Sequence, residues 1–320
     1  MKRVAVAIAA FRSDASVIAL VRRIIDEEWP VECVFVVDSL GSGQIDQFIL
    51  ANHLEGRVRY YDSAKNLGAA GNLQKRLELA AELGVEYVLA LNHDAVITRY
   101  VFDELVAWTH IENLGALYPL RFQEGKRVYD LAGVVEFSFR GRSSPIAPAG
   151  PLIDVYWSSS NVALYSTTPL RKQVLRLDAT LWHGWEDCLY GLQMHDCGYR
   201  QSIVVSAQIM DQYEYKQVRT LGLAVTLADK PSWMIYYSIR NFLLIHLHRR
   251  PNPVRSAKAI FWAVMMLIHP LNGRLERNQV NPWRAYFCGL RDGLLNRSGK
   301  WRYPRELSPA QMRQRMDSHC

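Results

Sequence analysis

The five cysteines, at positions 33, 188, 197, 288 and 320, are odd in number and form no CxxC pair. That scatter excludes a disulfide framework and a structural zinc site, and it suits a reducing cytoplasm. Long apolar runs are missing too. The longest, AIFWAVMMLI at 259–268, lies between Lys258 and His269-Pro270 and falls short of the roughly 18 residues a spanning helix needs. MKRVAVAIAAF at the start has its small residues inside a short apolar run and leads straight into a patterned segment, so it reads as a first strand rather than a secretion signal. No G-x-G-x-x-G follows that strand and no Walker lysine motif occurs, which removes dinucleotide dehydrogenases and P-loop ATPases. Internal repeats and long low-complexity segments are absent as well.

What remains is a chain of 320 residues, 49% hydrophobic and 22% charged, enough for one large domain or two modest ones. Its charge is unevenly placed. Residues 240–320 carry 15 Lys and Arg against 4 Asp and Glu, a balance of +11, while residues 1–239 balance at −4. A basic block attracts anionic partners. No nucleic-acid recognition motif accompanies it. The apolar runs beside the arginines point to an anionic membrane surface, with residues of 241–247 and 259–268 entering the interface beside Arg249, Arg250, Arg255 and Lys258. The alternatives are a solvated helical surface, packing on the rest of the chain, and pairing into a homo-oligomer.

The first hundred residues alternate strand-like and helical segments: VAVAIAAF (4–11), SVIALVRRIIDEE (16–28), CVFVVD (33–38), RVRYYD (57–62), NLGAAGNLQKRLELAAELG (66–84) and YVLALN (87–92). This order predicts an α/β fold with a mostly parallel sheet and helices on both faces. Ligands of such sheets collect beyond the carboxyl ends of the strands. The residues to watch are therefore Phe11-Arg12, Asp38, Asp62–Asn66 and Asn92–Asp94. GRSSPIAPAGP (141–151) is a loop. DVYWSSSNVALYS (154–166) reads as a strand pair or a strand and turn, and 182–205 as a loop, a helix stopping at Gly198 and a strand. Beyond Lys230-Pro231 the pattern is helical, which separates an α/β unit over 1–230 from a basic helical region over 231–320.

Two stretches carry chemistry. YVLALNHDAVI delivers Asp94 to the carboxyl edge, where a hard cation such as Mg²⁺ or Mn²⁺ needs only one or two carboxylates beside phosphate oxygens. Alternatively, Asp94 caps a helix beginning near Thr98. Trp182-His183-Gly184-Trp185-Glu186-Asp187 places two carboxylates at a helix start, where they act as dipole partners or, among aromatic rings that stack on sugars, as a general base toward a hydroxyl. The irregular spacing of His183, Cys188, His195 and Cys197 does not suit zinc.

Taken in order, VAVAIAAFR, VVDSLGSG, NLGAAGN, LALNHDA, GWEDCLYGLQMHDCGYR and YYSIRNFLL resemble the family 2 glycosyltransferases of GT-A fold, in particular bacterial rhamnosyltransferase-like members, over about residues 4–245. The resemblance implies that Ala10, Phe11 and Asp38 hold the nucleotide of the donor, and that Asn66, Gly68, Gly71, Asn92 and His93 lie near it. Asp94 is expected to meet a divalent metal and Asp187 to act as catalytic base, with Glu186, Trp182 and Trp185 toward the acceptor. The family often has a metal-binding histidine after the following strand; here Asp211 stands near that place. The implied reaction is inverting transfer of a sugar from a nucleotide-diphosphate donor to a glycan or lipid-linked glycan, for cell-surface polysaccharide synthesis, in the cytoplasm at the inner face of the membrane. Two rivals remain. A sugar nucleotidyltransferase would need a glycine- and lysine-rich signature after the first strand. A non-catalytic glycan-binding or membrane scaffold of the same fold is favoured by Asn92 and the missing histidine, and disfavoured by Asp94 and Glu186-Asp187.

Overall fold

In the computed structural model, which describes residues 2–123, 126–128, 150–210, 215–220, 223–228, 231–272 and 280–302, the first strand β1 (Val4–Ala10) alternates large and small side chains. Val4, Val6 and Ile8 enter one buried cluster, and Ala5 and Ala7 enter another on the opposite face. That alternation decides which helices lie where. Helices α1 (Asp14–Asp26), α2 (Gln44–Ala51) and α4 (Arg99–Ala107) bring Val17, Leu20, Ile45, Phe48, Val101 and Phe102 to the first face. On the second face, α3 (Gly68–Leu83) lays Leu73, Leu77 and Ala80 against the small side chains, together with Tyr190 and Met194 of α6 (Glu186–Asp196). The eight-residue α2 follows the SLGSG turn and is an element the sequence pattern does not announce.

β1 pairs in parallel with β2 (Val34–Asp38) and β4 (Tyr87–Leu91), and β2 with the edge strand β3 (Val58–Asp62). β2 is buried on both faces, which is why VFVV (34–37) is a continuous apolar run before Asp38; at the edge, VRYYD is exposed at three of five residues. Beyond β4 come β8 (Val162–Ser166), β5 (Leu114–Gln123), β9 (Arg200–Met210) and β7 (Leu152–Asp154), with β6 (Lys126–Val128) beside β5. Of these nine described strands, six run in one direction; β6, β7 and β8 run against them. Because β8 is antiparallel to β4, with Val162 opposite Leu91, the chain entering β8 arrives at the edge where β4 ends. The segment 154–166 is thus strand, crossing loop and strand. The short helix α5 (Thr168–Arg171) follows β8. Most of the 141–151 loop lies outside the described residues.

These elements form one compact unit, Met1–Tyr213; a second spans Glu214–Cys320. It opens with an antiparallel hairpin, β10 (Tyr215–Thr220) and β11 (Leu223–Ala228). Next comes α7 (Ser232–Leu243), prolonged by a π-helical turn over Leu244–Arg249. Helices α8 (Pro253–Met265), α9 (Ile268–Asn272) and α10 (Pro282–Leu294) complete it. α10 lies directly on α7 because Gly289 and Gly293 carry no side chain: a Cβ at Gly289 would sit 2.6 Å from the Tyr236 carbonyl oxygen. Asp292 accepts from the Tyr236 hydroxyl at 2.9 Å across this contact. Residues 241–246 are buried here, which corrects the expectation that this run faces a membrane: Phe242, Leu243, Leu244 and Ile245 are core of the second unit.

Candidate active site

The first side of the site is built from the ends of β1, β2 and β3. Ala10 pairs with Asp38 in the sheet, and the Ser39 N–H donates to the Ala10 carbonyl at 3.0 Å. Asp38 is 1% exposed; its Oδ2 accepts from the Tyr60 hydroxyl at 3.0 Å, and its buried Oδ1 has no protein partner. Burial raises its pKa, and Tyr60 opposes that. A buried carboxylate oxygen left without a donor has a cost, so a ligand hydroxyl aimed at it would be well bound. Gly41 wraps over this pair: a Cβ there would stand 2.2 Å from the Tyr60 hydroxyl and 2.5 Å from Asp38 Oδ2. Half-buried Phe11 lies alongside, with the Arg12 guanidinium 5.1 Å from its ring centre. The backbone turns sharply after each strand, with Arg12, Leu40 and Ala64 all at positive φ. Such conformations are uncommon for residues with a Cβ and collect at functional edges.

Asn66 accepts from the Gly68 N–H at 2.9 Å and so fixes the turn that starts α3. Gly68 has φ +69, and a Cβ on it would lie 2.2 Å from the Trp182 carbonyl oxygen and 2.8 Å from the indole. Trp182 is 7% exposed and packs against this turn, and its carbonyl accepts from the Ala70 N–H at 3.1 Å. Buried in that way, its ring presents no face to a sugar. A Cβ on Gly71 would crowd the Leu67 Cβ at 3.3 Å and meet the Ala179 Cβ at 3.9 Å. Asn72, in the same motif but not singled out from sequence, donates to the Val37 carbonyl at 2.9 Å and to the Ser39 hydroxyl at 3.1 Å, tying α3 to the end of β2.

β4 delivers Asn92, His93 and Asp94 to the same edge. Thr98, not Asp94, caps α4, accepting from the Val101 N–H at 3.4 Å. The capping alternative for Asp94 is therefore removed. Its carboxylate is exposed, makes no hydrogen bond or ion pair among the described residues, and lines a cleft with Arg121, Asn161 and Met210. His93 is half-buried. Asn92 donates its side-chain N–H to Asn161 Oδ1 at 2.5 Å, and the two backbones pair at 3.0 Å.

Asn161 is a residue of this edge that sequence reasoning missed. Next to it, the Ser160 N–H donates to Asp187 Oδ2 at 3.3 Å, so two adjacent residues of the crossing loop join the end of β4 to the start of α6. Asp187 Oδ1 accepts from its neighbour Cys188 N–H at 2.8 Å. Trp182 and Trp185, at φ 62 and 66, hold the turn into α6 in left-handed conformations. Trp185 is half-buried and meets Trp157 edge-to-face at 5.9 Å. Gly191 admits the Trp157 backbone against α6; a Cβ there would lie 2.4 Å from the Trp157 Cβ.

Glu186 is buried, 7% exposed, with Oε2 lacking a partner. Burial and the adjacent Asp187 carboxylate raise its pKa to about 8. Facing it electrostatically is the buried Arg76, lowered to about 10 by burial, which donates to the carbonyls of Leu91 at 2.9 Å and Ala7 at 3.3 Å. The two carboxylates of the pair thus have separate environments, Asp187 half-buried and Glu186 in the core.

The described residues contain no group of three His, Cys, Asp or Glu side chains able to hold an ion unaided. Asp94 nonetheless fits the minimal set for Mg²⁺ or Mn²⁺, one exposed carboxylate completed by diphosphate oxygens. Asp211 lies outside the described residues.

No family model and no curated protein matches the sequence. Solved structures do match. The mannosyltransferase PcManGT from Pyrobaculum calidifontis, in complex with GDP-Man and Mn²⁺, is 14% identical over 99% of this chain and 80% of its own, with a TM-score of 0.54. S. aureus TarS 1–349, in complex with UDP-GlcNAc, is 14% identical over 91% of this chain and 80% of its own, at 0.56. GalNAc-T7, with UDP, GalNAc and Mn²⁺, is 11% identical over 69% of this chain and 45% of its own, at 0.51. This is the GT-A fold. At such identities the likeness shows architecture alone. Within the GT-A sheet, the residues named from sequence at 10–11, 38, 66–71, 92–94 and 186–187 come from the carboxyl edge and the two turns beside it.

Proposed function

We propose that the protein is a glycosyltransferase that moves a sugar from a nucleotide-diphosphate donor to a hydroxyl of a glycan or lipid-linked glycan, with inversion at the anomeric carbon. One observation carries the reading. In a GT-A sheet, Ser160 and Asn161 connect the strand end bearing Asp94 to the half-buried carboxylate of Asp187 in the Glu186-Asp187 pair. The order of motifs further supports a family 2, rhamnosyltransferase-like kinship and a place in cell-surface polysaccharide synthesis, at the inner face of the membrane.

In this mechanism Asp38 receives the ribose hydroxyls, with its orphaned Oδ1 as acceptor. Phe11 lies against the base, and the Asn66–Gly68 turn lets the donor approach the backbone. Asp187 accepts the proton of the acceptor hydroxyl as that oxygen attacks the anomeric carbon from the face opposite the leaving group. The bond from carbon to the acceptor oxygen forms, the bond to the diphosphate oxygen breaks, and the nucleoside diphosphate departs. Asp94 would hold a divalent metal, which when bound offsets the charge on that diphosphate. Trp185 and Trp157 flank the acceptor position and exclude water. Glu186 is held toward its neutral form by burial and by the adjacent Asp187 carboxylate, which raise its pKa to about 8.

The test is a panel of UDP-, GDP- and dTDP-sugars, each with Mn²⁺, with Mg²⁺ and with chelator. Thermal shift reads binding, and release of the nucleoside diphosphate reads turnover. Stabilisation by one donor and metal-stimulated release support the assignment; a flat response across the panel would overturn it.

A further inference from the structure

Helix α8 turns its apolar side outward. Val254, Ala257, Phe261, Val264 and Met265 recur at helical spacing along one exposed stripe, Ile260 lies beside it, and the inward positions are Ala259 and Ala263. A surface helix ordinarily does the reverse, burying its large apolar residues and showing polar ones. Leu271 of α9 extends the exposed surface. Tyr286 of α10 donates its hydroxyl to the Ala263 carbonyl at 2.9 Å, which fixes α10 to the inner side of α8. On α10 itself, Trp283 and Phe287 stack at 6.1 Å, both exposed, with Arg284 and Arg291 exposed beside them.

The charge around these helices identifies the occupant. Among the described residues of 240–272 and 280–302, ten Lys and Arg stand against one acidic residue, Asp292, and Arg255 and Lys258 lie on α8 itself. Two copies of so basic a region, placed face to face, would repel one another, whereas an anionic lipid headgroup layer complements it. No described helix is long and apolar enough to cross a membrane. The fitting arrangement is a helix lying in the plane of the surface, apolar side chains below the headgroups and basic ones among them.

We propose that the second unit docks on an anionic lipid surface through the outward face of α8, with Phe261, Val264 and Met265 inserted and the aromatic pair of α10 as a second contact.

The full chain is floated with vesicles of equimolar phosphatidylcholine and phosphatidylglycerol at low salt, and with vesicles of phosphatidylcholine alone. Binding to the first and not the second, weakened by salt, is expected. The double substitution Phe261→Ser, Met265→Ser lowers the partition coefficient by roughly tenfold or more, with an unchanged circular dichroism spectrum because both side chains are already exposed. Should that variant prove unstable, Val264→Asp on the same stripe gives the same loss. The proposal is overturned if the wild type does not float, if the variants float equally well, or if the lipid-free wild type self-associates and Val264→Asp is monomeric, which assigns the face to a second copy. Flotation involves no sugar transfer, so its outcome is independent of the transferase reading.

Discussion

Ser160 donates its backbone N–H to Asp187 at 3.3 Å, and this bond orients the half-buried member of the carboxylate pair from a loop that the sheet itself anchors. Asp187→Asn keeps the side chain's shape and an acceptor oxygen for Ser160 while removing the proposed base. The expected result is a fall in kcat of about 10²–10⁴-fold, the usual contribution of a positioned general base. The donor KM should change by only a few-fold and the melting temperature hardly at all. Steady-state kinetics with saturating acceptor reads the two constants separately; activity near wild type would place the base on another residue.

Asn161→Ala removes the side-chain partner of Asn92 and leaves the backbone pairing of β4 and β8 intact. Losing one part-buried hydrogen bond costs about 1 kcal/mol of stability. The larger effect falls on function, because the end of β4 that bears Asp94 is no longer pinned to the loop that orients Asp187. A drop of roughly tenfold in kcat/KM is expected from such misplacement. Asn161→Asp, which keeps the acceptor oxygen for Asn92, should recover most of it.

The sheet was legible because its strands obey elementary patterning. Continuous apolar runs at 4–10 and 34–37 are what a strand covered on both faces requires, and Gly84 marks the end of α3 at φ 75. The strand-end residues followed, since the carboxyl edge of a parallel sheet is defined by topology. Asn161 and Trp157 were not legible. Both lie in a crossing loop whose place depends on β8 inserting antiparallel between β4 and β5, a long-range pairing that no local periodicity encodes. Tyr60 was hidden for a similar reason: its hydroxyl meets Asp38 only once β2 and β3 are in register. Composition marked the second unit as basic and apolar but could not say which apolar residues face out. Residues 242–245 and the stripe on α8 are both apolar, and it is packing that separates them: the first are buried and the second exposed.

Glu186 gives a pH dependence. Its folded-state pKa is raised to about 8, from the 4.5 of an exposed glutamate, so between these values the native protein binds a proton that the unfolded chain has released. The stability contributed by the protonated acid is complete below about 4.5 and is lost as pH rises through about 8. The slope can reach about 1.4 kcal/mol per pH unit. Urea denaturation at stepped pH should show this decline in the wild type and a flatter curve in Glu186→Gln. If the two curves run parallel, the acid ionises as an ordinary carboxylate.

Gly68→Ala is the substitution that should damage fold and site together. The residue sits at φ +69, and the added Cβ would approach the Trp182 carbonyl oxygen to 2.2 Å. That neighbour is backbone, so no rotamer change relieves the clash; the Trp182 carbonyl must move, and with it the left-handed turn through Trp185 that begins α6. A loss of about 2–4 kcal/mol in stability is expected from left-handed strain combined with overpacking, along with a lower kcat, because Asp187 lies two residues beyond Trp185. Gly43→Ala supplies the comparison. Its φ is +82, but nothing lies within 4 Å of the added carbon, so strain acts alone and the cost should stay near 1 kcal/mol. Chemical denaturation of the two variants, with kcat measured on each, separates conformational strain from displacement of the catalytic turn. Equal losses in both would mean that contact with Trp182 does not position α6.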